Sequence, residues 1–294
     1  MPTLSRRQLV LLVLLTVIWG LNWPVMKQGL AHFPPLTFRA ISLVMGLPVI
    51  GLAVWLQKAS FRIPREYWGT LIKLAIPNVV LWHCLMILAI PNLTSGRAAI
   101  LAYTMPIFSA VVGSLVFKDK LAGRGWIGVA AAALGVILLL WHEVGSLGSR
   151  PFGVGLMLIS ALSWAVGTQL LRRTHMPVPL LTLAFWMIAI ACVVLVIVAT
   201  VFEHDKWVAL PDGPAVFGIL YNAFLALGFA QVTWFFLAKT LPPVASTLSV
   251  MLIPVIGVFS GSVWLGEVLH WQDWTAVGLM MVAIASVLWP VRKG

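Results

Sequence analysis

Residues 178–202 read VPLLTLAFWMIAIACVVLVIVATVF, a run of 25 residues without a charged side chain. About 20 apolar residues in a helix cross the roughly 30 Å of hydrocarbon in a bilayer, so this run predicts a transmembrane helix. Other stretches along the chain have the same length and character. The sequence therefore predicts an all-α membrane protein with ten spans, at 10–29, 35–57, 67–88, 96–117, 123–142, 153–171, 178–202, 214–238, 244–265 and 271–290.

The composition excludes two other classes of protein. The chain is 61% apolar and 9% charged, with a mean hydropathy of +1.03. A soluble domain carries about 25% charged residues, so lipid must face most of this surface. The net charge of +11 could suggest nucleic acid as a partner. However, the basic residues lie in short segments between apolar runs and form no single patch, so no nucleic-acid partner is expected.

Neither the N-terminus nor the cysteines indicate processing or a metal. Residues 1–7 and the apolar run 9–20 superficially resemble a signal peptide, but no small-x-small cleavage site follows, so we expect a retained first helix. Cys84 and Cys192 both lie inside apolar runs, and no C-x-x-C spacing exists. We therefore expect no disulfide framework, no metal site and no cofactor.

The placement of charge predicts the orientation in the membrane. If the N-terminus is cytoplasmic, the outer loops hold mainly acids and the inner segments hold thirteen of the nineteen basic residues. By the positive-inside rule, both termini are then cytoplasmic. The inner basic residues are Arg6, Arg7, Lys58, Arg62, Arg65, Lys118, Lys120, Arg124, Arg172, Arg173, Lys239, Arg292 and Lys293.

The two halves of the chain are similar to each other. Residues 89–141 align without a gap on 237–289, pairing Pro106 with Pro254 and Asp119 with Glu267. Each half, 1–148 and 149–294, holds five predicted spans. Because five is odd, the second half enters the membrane from the opposite side. The sequence thus predicts two inverted five-helix repeats around a central cavity, an arrangement typical of secondary transporters.

Several short motifs carry a resemblance to a known family. They are Trp19-Gly20-Leu21-Asn22-Trp23, Arg97-Ala98-Ala99 leading into Pro106, Gly113 with Asp119, and Pro254 through Gly261 to Gly266-Glu267. On these motifs the chain resembles the drug/metabolite transporter superfamily, in its ten-helix EamA-type branch. In its many tryptophans and short loops it is similar to the YddG-like bacterial exporters of aromatic amino acids. The resemblance implies a multi-pass protein of the bacterial inner membrane that exports small molecules.

Polar and aromatic residues inside the spans are the candidates for lining the cavity. Polar groups are costly in lipid unless they face such a cavity, and aromatic rings suit ring-bearing ligands. His83 is an ionisable group near the middle of a span, and Arg97 lies near a span end. The predicted cavity residues are Trp19, Asn22, Asn78, Trp82, His83, Arg97, Tyr103, Trp164, Trp186, Tyr221, Ser246 and Ser249.

Two prolines inside spans predict hinges. Pro106 and Pro254 each remove a backbone donor from a helix and therefore bend it. Because they are equivalent in the two halves, each is predicted to gate one side of the membrane. Packing kinks without a gating role are the alternative.

The polar groups also bear on the mechanism. All eight acids lie in loops or at span ends, and proton-coupled carriers usually keep a carboxylate at mid-membrane. We therefore expect facilitative transport or exchange of a small neutral metabolite, most simply an aromatic or apolar amino acid, by a monomer that needs only the bilayer and its substrate. Proton coupling through His83 is the alternative. A channel or an intramembrane enzyme is less favoured, since no charged ring, selectivity loop or nucleophile with its base is evident.

Overall fold

The computed structural model describes residues 5–121, 123–145, 151–207, 210–240 and 243–288. Within these ranges the chain is helical and forms no β-strand, which confirms the predicted all-α class. The helices are α1 (Arg6–Gly29), α2 (Pro35–Leu56), α3 (Arg65–Asn92), α4 (Ser95–Leu115), α5 (Gly123–Gly145), α6 (Pro151–Arg173), α7 (Leu180–Glu203), α8 (213–240), α9 (Pro243–Leu265) and α10 (Trp271–Leu288).

Seven of these helices, α1 to α4 and α6 to α8, are long and apolar enough over the described residues to cross a membrane. Large apolar side chains such as Trp55, Leu115 and Phe202 are exposed on their outer faces. A helix that is apolar all round must be surrounded by protein or by lipid. The chain is therefore a multi-pass membrane protein.

Local sequence explains where several helices begin. Ser5 and Gln8 form a capping box at the start of α1, in which each side chain bonds the other residue's backbone. The side chain of Asp212 accepts from the backbone N–H of Ala215 at 2.8 Å at the start of α8. These bonds satisfy amide donors that have no partner inside the helix. Pro35 occupies the first position of α2, where a missing N–H does no harm.

Two helices widen into π-helical segments. The segments are Ile76–Leu81 in α3 and Tyr221–Ala230 in α8. In α3 the wider turn includes Pro77, which has no amide donor. Ser163 of α6 donates to the carbonyl oxygen of Pro77 at 2.6 Å, so the neighbouring helix supplies a hydrogen bond there. A π segment changes the direction of the side chains that follow it and often lies at a functional site.

The two prolines predicted as hinges lie in different local structures. Helix α4 is interrupted between Ser95–Ala102 and Met105–Leu115, and Pro106 is the second residue of the second piece. Thr104 Oγ1 donates to the carbonyl oxygen of Leu101 at 2.6 Å within this interruption. Helix α9 runs continuously from Pro243 to Leu265, with Pro254 inside it. The helix is thus interrupted before Pro106 and continuous through Pro254.

The helices pack in matching pairs. Helix α1 packs against α8 and α9, whereas α6 packs against α3 and α4. Helix α2 packs against α7, and α5 against α10. Glycines permit the closest approaches: a Cβ on Gly167 of α6 would lie 2.7 Å from the backbone nitrogen of Asn78 in α3. If each helix is replaced by its counterpart in the other half, the contacts of α1 with α8 and α9 become those of α6 with α3 and α4.

The turns that follow α4 and α9 share one backbone conformation. Lys118 and Gly266 both have a positive φ, of 59° and 65°. After them, the N–H of Asp119 donates to the carbonyl oxygen of Gly113 at 2.9 Å, and the N–H of Glu267 donates to that of Gly261 at 3.4 Å. Asp119 and Glu267, which correspond to each other in the two halves, therefore each follow a turn of the same backbone conformation.

Candidate functional site

A cavity of about 1150 Å³ lies between α1, α3, α4, α6 and α8, with Arg39 of α2 at one end. One end is lined by the exposed residues Asp119, Lys120, Arg172 and Arg173, so the cavity opens there. The other end is lined by buried residues, among them Met26, Arg39 and Met86. Pockets for small organic ligands usually measure about 300–1000 Å³, so this cavity can hold such a molecule.

Aromatic rings form much of the wall of the cavity. Six rings line it, two of which, those of Trp19 and Trp234, pack against each other with their centroids 5.9 Å apart. Trp19 is fixed further by a hydrogen bond of 3.1 Å from its Nε1 to the carbonyl oxygen of Ala226. Rings in this arrangement offer faces and edges to an aromatic ligand. The six are Trp19, Trp23, Trp82, Tyr103, Trp164 and Trp234.

A cluster of three polar side chains lies at the buried end of the cavity. Arg39 of α2 donates from its NH1 group to Asn222 Oδ1 at 2.7 Å, and its Nε lies 3.1 Å from His83 Nδ1. Arg39 and His83 line the cavity, and only 4% and 7% of their surfaces are exposed. Asn222, fully buried, donates in turn to the carbonyl oxygen of Gly218 at 2.9 Å. We call Arg39, His83 and Asn222 the polar cluster.

The contact with Arg39 fixes the form of the His83 ring. A guanidinium has only donors, so Nδ1 of His83 must accept and carries no proton. His83 in this structure is therefore neutral, with its proton on Nε2. A second proton on the ring would remove the acceptor that Arg39 uses. The polar cluster and a charged His83 are thus mutually exclusive in this geometry.

Asn22 has a buried acceptor without a hydrogen-bond partner beside the cavity. Its Oδ1 atom is buried and has no hydrogen-bond partner, while its Nδ2 points to Met26 Sδ at 3.6 Å. Buried polar atoms without a partner are uncommon and often indicate a missing ligand or water. Asn22 lines the cavity, but the oxygen itself is not exposed to it, so a bound molecule could reach this acceptor only after the side chain turns.

A second network of polar residues lies at the open end. Arg173 donates from NH2 to Asp119 Oδ2 at 2.6 Å and from NH1 to the side-chain oxygen of Gln169. Gln169 donates to the carbonyl oxygen of Ser109 at 2.5 Å. These bonds join α6 to α4 and to the turn after it. The cations at the rim attract anions toward the mouth.

The opposite face of the bundle is closed by carboxylates on helix N-termini. Glu203 accepts from the backbone N–H of Leu36 at 3.1 Å and of Thr37 at 2.7 Å, at the start of α2. Glu267 accepts from the backbone N–H of Ser95 at 2.6 Å, at the start of α4. Carboxylates are favourable at helix N-termini, where amide groups and the helix dipole attract negative charge. Both bonds join the second half of the chain to the first.

Half of the predicted cavity residues line the cavity. They are Trp19, Asn22, Trp82, His83, Tyr103 and Trp164, and the hinge candidate Pro106 lines it as well. They come from α1, α3, α4 and α6, so the tertiary structure brings together side chains from distant parts of the sequence. Pro254 is buried in α9 and is not among the lining residues.

Four other predicted residues do not line this cavity and have other contacts in the structure. Arg97 forms a buried ion pair of 2.9 Å with Asp273. Trp186 stacks edge-on against Trp68 and donates to a backbone carbonyl. Tyr221 donates to the carbonyl oxygen of Ile18 at 2.8 Å, and Asn78 packs under Gly167 of α6. The side chains of Ser246 and Ser249 lie outside the described residues.

Sequence reasoning missed Arg39, Trp23 and Trp234. Arg39 was overlooked because it lies only one helical turn from the start of α2, where an arginine can also face the headgroups. The available signal was its charge inside the apolar span 35–57. Trp23 and Trp234 could not be distinguished from packing rings, since their orientation depends on neighbouring helices.

The site offers groups that can bind a small molecule. Among the described residues, no three His, Cys, Asp or Glu side chains lie together as metal ligands would. Its rings, amides and guanidinium can hold an amphiphilic molecule with an apolar body and a polar end. Such a cavity, open at one end, is suited to binding and release.

Comparisons with known proteins show which transporters this chain is similar to. Among curated relatives, the chain is 25% identical over 261 residues to "Uncharacterized transporter YoaV" of Bacillus subtilis, covering 87% of this chain and 88% of the relative. It is 27% identical to "Uncharacterized inner membrane transporter YedA" of Escherichia coli, covering 93% and 88%. It is 26% identical to a "Probable amino-acid metabolite efflux pump" of Salmonella typhimurium, covering 96% and 94%.

A solved structure and a family profile complete the comparison. The structure, described only as a crystal structure of a protein, superposes with a TM-score of 0.68 at 19% identity and 96% coverage of both chains. At that identity it supports the fold alone. The EamA-like transporter family matches residues 6–141 and again residues 151–289. These two matches confirm the resemblance seen in the sequence motifs, and the chain is a membrane transporter that belongs to the EamA-like transporter family.

Proposed function

We propose that this protein exports aromatic and other apolar amino acids from the bacterial cytoplasm by alternating access. The observation that carries the proposal is the ring-lined cavity, open at one end, with the polar cluster at its buried end. Rings can stack on an aromatic side chain, for about 0.5–1.5 kcal/mol per ring pair beyond the area that is buried. Arg39 and His83, the two residues of the polar cluster that line the cavity, can bind the amino-acid end of the same molecule.

A sugar phosphate or a cationic drug suits the lining of the cavity less well than an aromatic amino acid does. A phosphate group is usually held by several Arg or Lys side chains, and Arg39 is the one buried cation among the described lining residues. A cation would require a buried carboxylate, and the only acid of the described lining is Asp119 at the mouth. One relative's name, a probable amino-acid metabolite efflux pump, points the same way.

The proposed mechanism uses two inverted five-helix halves, 1–148 and 149–294. The matching helix contacts and the shared turns before Asp119 and Glu267 support this internal symmetry. With both termini cytoplasmic, the open end faces the cytoplasm and the carboxylate-closed end faces outward. The structure then corresponds to an inward-open state, and the opposite state forms when Glu203 and Glu267 release their helix N-termini.

Reconstituted transport tests the proposal. Proteoliposomes loaded with unlabelled tryptophan should take up radiolabelled tryptophan and phenylalanine by saturable counterflow, with much slower uptake of glucose 6-phosphate. Transport of phosphorylated sugars without aromatic amino acids would overturn the assignment. Ionic conductance instead of counterflow would indicate a channel.

The second proposal concerns coupling: transport runs down the substrate gradient without an imposed pH or sodium gradient. No carboxylate of the described residues lies in the middle of a helix, where proton-coupled carriers keep one. Accumulation that requires a proton gradient would contradict this. His83→Ala would then be the variant to test, because a proton on His83 and its contact with Arg39 exclude one another.

A further inference from the structure

We propose that Arg39 binds the carboxylate of the transported molecule, and that the carboxylate is the charged group the protein requires, whereas the ammonium group is dispensable. The inference rests on the cavity being the substrate site, as proposed above. It goes further by naming the charge that the site selects and the residue that selects it.

The charge of Arg39 has no counter-ion in the described structure. Its guanidinium contacts His83 Nδ1 and Asn222 Oδ1, both neutral, at 2.7–3.1 Å. No carboxylate of the described residues lies within ion-pair distance of its guanidinium, whereas Arg97 and Arg173 each have one. A buried charge is costly unless it is paired. An anionic ligand would supply the missing partner.

Arg39 also lies where a ligand in the cavity would bind. Arg39 lines the cavity and is only 4% exposed, so a bound anion would meet it away from bulk water. Its contacts with His83 and Asn222 use at most three of its five N–H groups. These two residues also hold the planar fork in place, and a pre-positioned fork matches the two oxygens of a carboxylate.

Among the described residues that line the cavity, no buried carboxylate is available to pair with an ammonium ion. Asp119 is the only acid among the described lining residues, and it lies at the mouth in an ion pair with Arg173. Toward the buried end, the described lining offers an ammonium group only neutral acceptors and the faces of rings. Hydrogen bonds between a charged and a neutral group stabilise less than a desolvated charge pair. Removing the ammonium group should therefore weaken binding little.

Three compounds that share a phenylethyl body separate these contributions. Phenylalanine carries both charges, 3-phenylpropanoate only the carboxylate, and phenethylamine only the ammonium. Binding of each to the purified transporter is measured by the ligand's stabilisation against thermal unfolding, which depends on ligand concentration and Kd. We expect 3-phenylpropanoate to bind within about threefold of phenylalanine, and at least about tenfold more tightly than phenethylamine.

Variants assign the effect to Arg39. Arg39→Gln should weaken binding of 3-phenylpropanoate by about tenfold or more and leave phenethylamine within about threefold of wild type. Arg39→Lys keeps the charge but loses the fork, so it should bind 3-phenylpropanoate with intermediate affinity. Arg65→Gln, at an exposed arginine outside the cavity, is the matched control and should bind all three compounds as wild type does.

The outcomes distinguish this inference from the proposed function. Equal binding of all three compounds, or tighter binding of phenethylamine, would overturn the role of Arg39 and leave an aromatic-specific cavity. Binding of none of them would overturn the proposed substrate class itself. If Arg39→Gln does not fold, the wild-type series and Arg39→Lys still decide, since neither depends on that variant.

Discussion

Glu267 Oε1 accepts a hydrogen bond of 2.6 Å from the backbone N–H of Ser95, and Glu267 Oε2 accepts one of 2.8 Å from the Ser95 hydroxyl. Glu267 belongs to the second half of the chain, and Ser95 begins α4 in the first. The carboxylate therefore ties the two halves together at the end of the bundle opposite the mouth. In the proposed transport cycle this end opens for release, so the strength of the tie would set part of the conformational equilibrium.

The first prediction concerns this contact. Glu267→Gln removes the charge and should weaken the tie by about 1.5–3 kcal/mol, which favours the state that is open on this side. A single cysteine at Thr168 in the cavity, with Cys84 and Cys192 replaced, reports the change. Its labelling from the outer face by a membrane-impermeant maleimide should become faster. Glu66→Gln, an exposed acid, is the control, and unchanged labelling in Glu267→Gln would disprove the closing role.

The second prediction concerns stability. Asp273→Asn should lower the free energy of unfolding by about 3–5 kcal/mol, because it leaves the Arg97 guanidinium buried without its carboxylate. The double variant Arg97→Met/Asp273→Leu should recover most of the loss, since it removes both charges. Thermal unfolding in detergent measures both. Asp205→Asn is the control and should unfold like wild type, because the Asp205 side chain is 87% exposed. If Asp273→Asn is as stable as wild type, the ion pair with Arg97 does not stabilise the fold.

The third prediction uses two tryptophans of α6 and α7. Trp164 lines the cavity, whereas Trp186 packs against Trp68 outside it. Trp164→Ala should lower transport of tryptophan and phenylalanine by about two- to tenfold relative to alanine and threonine, because only ring substrates lose a ring contact. Trp186→Ala should change all four substrates by one common factor. Equal losses in Trp164→Ala would reduce Trp164 to a structural residue.

The fourth prediction concerns the prolines. Pro106→Ala allows a backbone hydrogen bond across the interruption in α4, and Pro254→Ala allows one inside α9. Both variants should fold and bind substrate, yet exchange it more slowly, because conformational steps limit the cycle of a carrier. Binding and counterflow rates are measured on the same preparations. Exchange at wild-type rates in both variants would make these prolines packing features.

The fifth prediction concerns the contact between α3 and α6. Gly167→Ala should destabilise the protein by about 1–3 kcal/mol, because its Cβ would lie 2.7 Å from the backbone of Asn78. Gly155→Ala, on the same helix, has no atom within 4 Å of the new Cβ and should be neutral or stabilising by about 0.5–1 kcal/mol. Thermal unfolding compares the two variants. Equal stability would show that α6 can shift away from α3 without cost.

The positions of the helices could be predicted from the sequence because crossing a membrane is a local property. A run such as 178–202 must be helical and buried in lipid whatever its neighbours are, since its backbone groups have no water to bond. The observed α7, Leu180–Glu203, differs from that prediction by two residues at its start and one at its end. The interruption before Pro106 follows from the same local chemistry.

The π segments and the membership of the cavity depended on the tertiary structure. Trp164 and Trp186 both lie inside predicted spans, and sequence alone gives no reason to separate them. Which ring faces the cavity depends on how each helix is rotated against its neighbours. The π segment of α3 adds to this uncertainty, because it turns Trp82 and His83 relative to the residues before it.

Arg39 shows most clearly which features the sequence determined and which only the tertiary structure decided. The sequence determined that an arginine lies one turn into a membrane helix, where it can reach the headgroups by extending its long side chain. Only the packing of α3 and α8 against α2 decided that it instead meets His83 and Asn222 at the buried end of the cavity. The reason is physical: the sequence fixes how apolar each helix is along its length, whereas a buried charge takes its partners from helices that are distant in the chain.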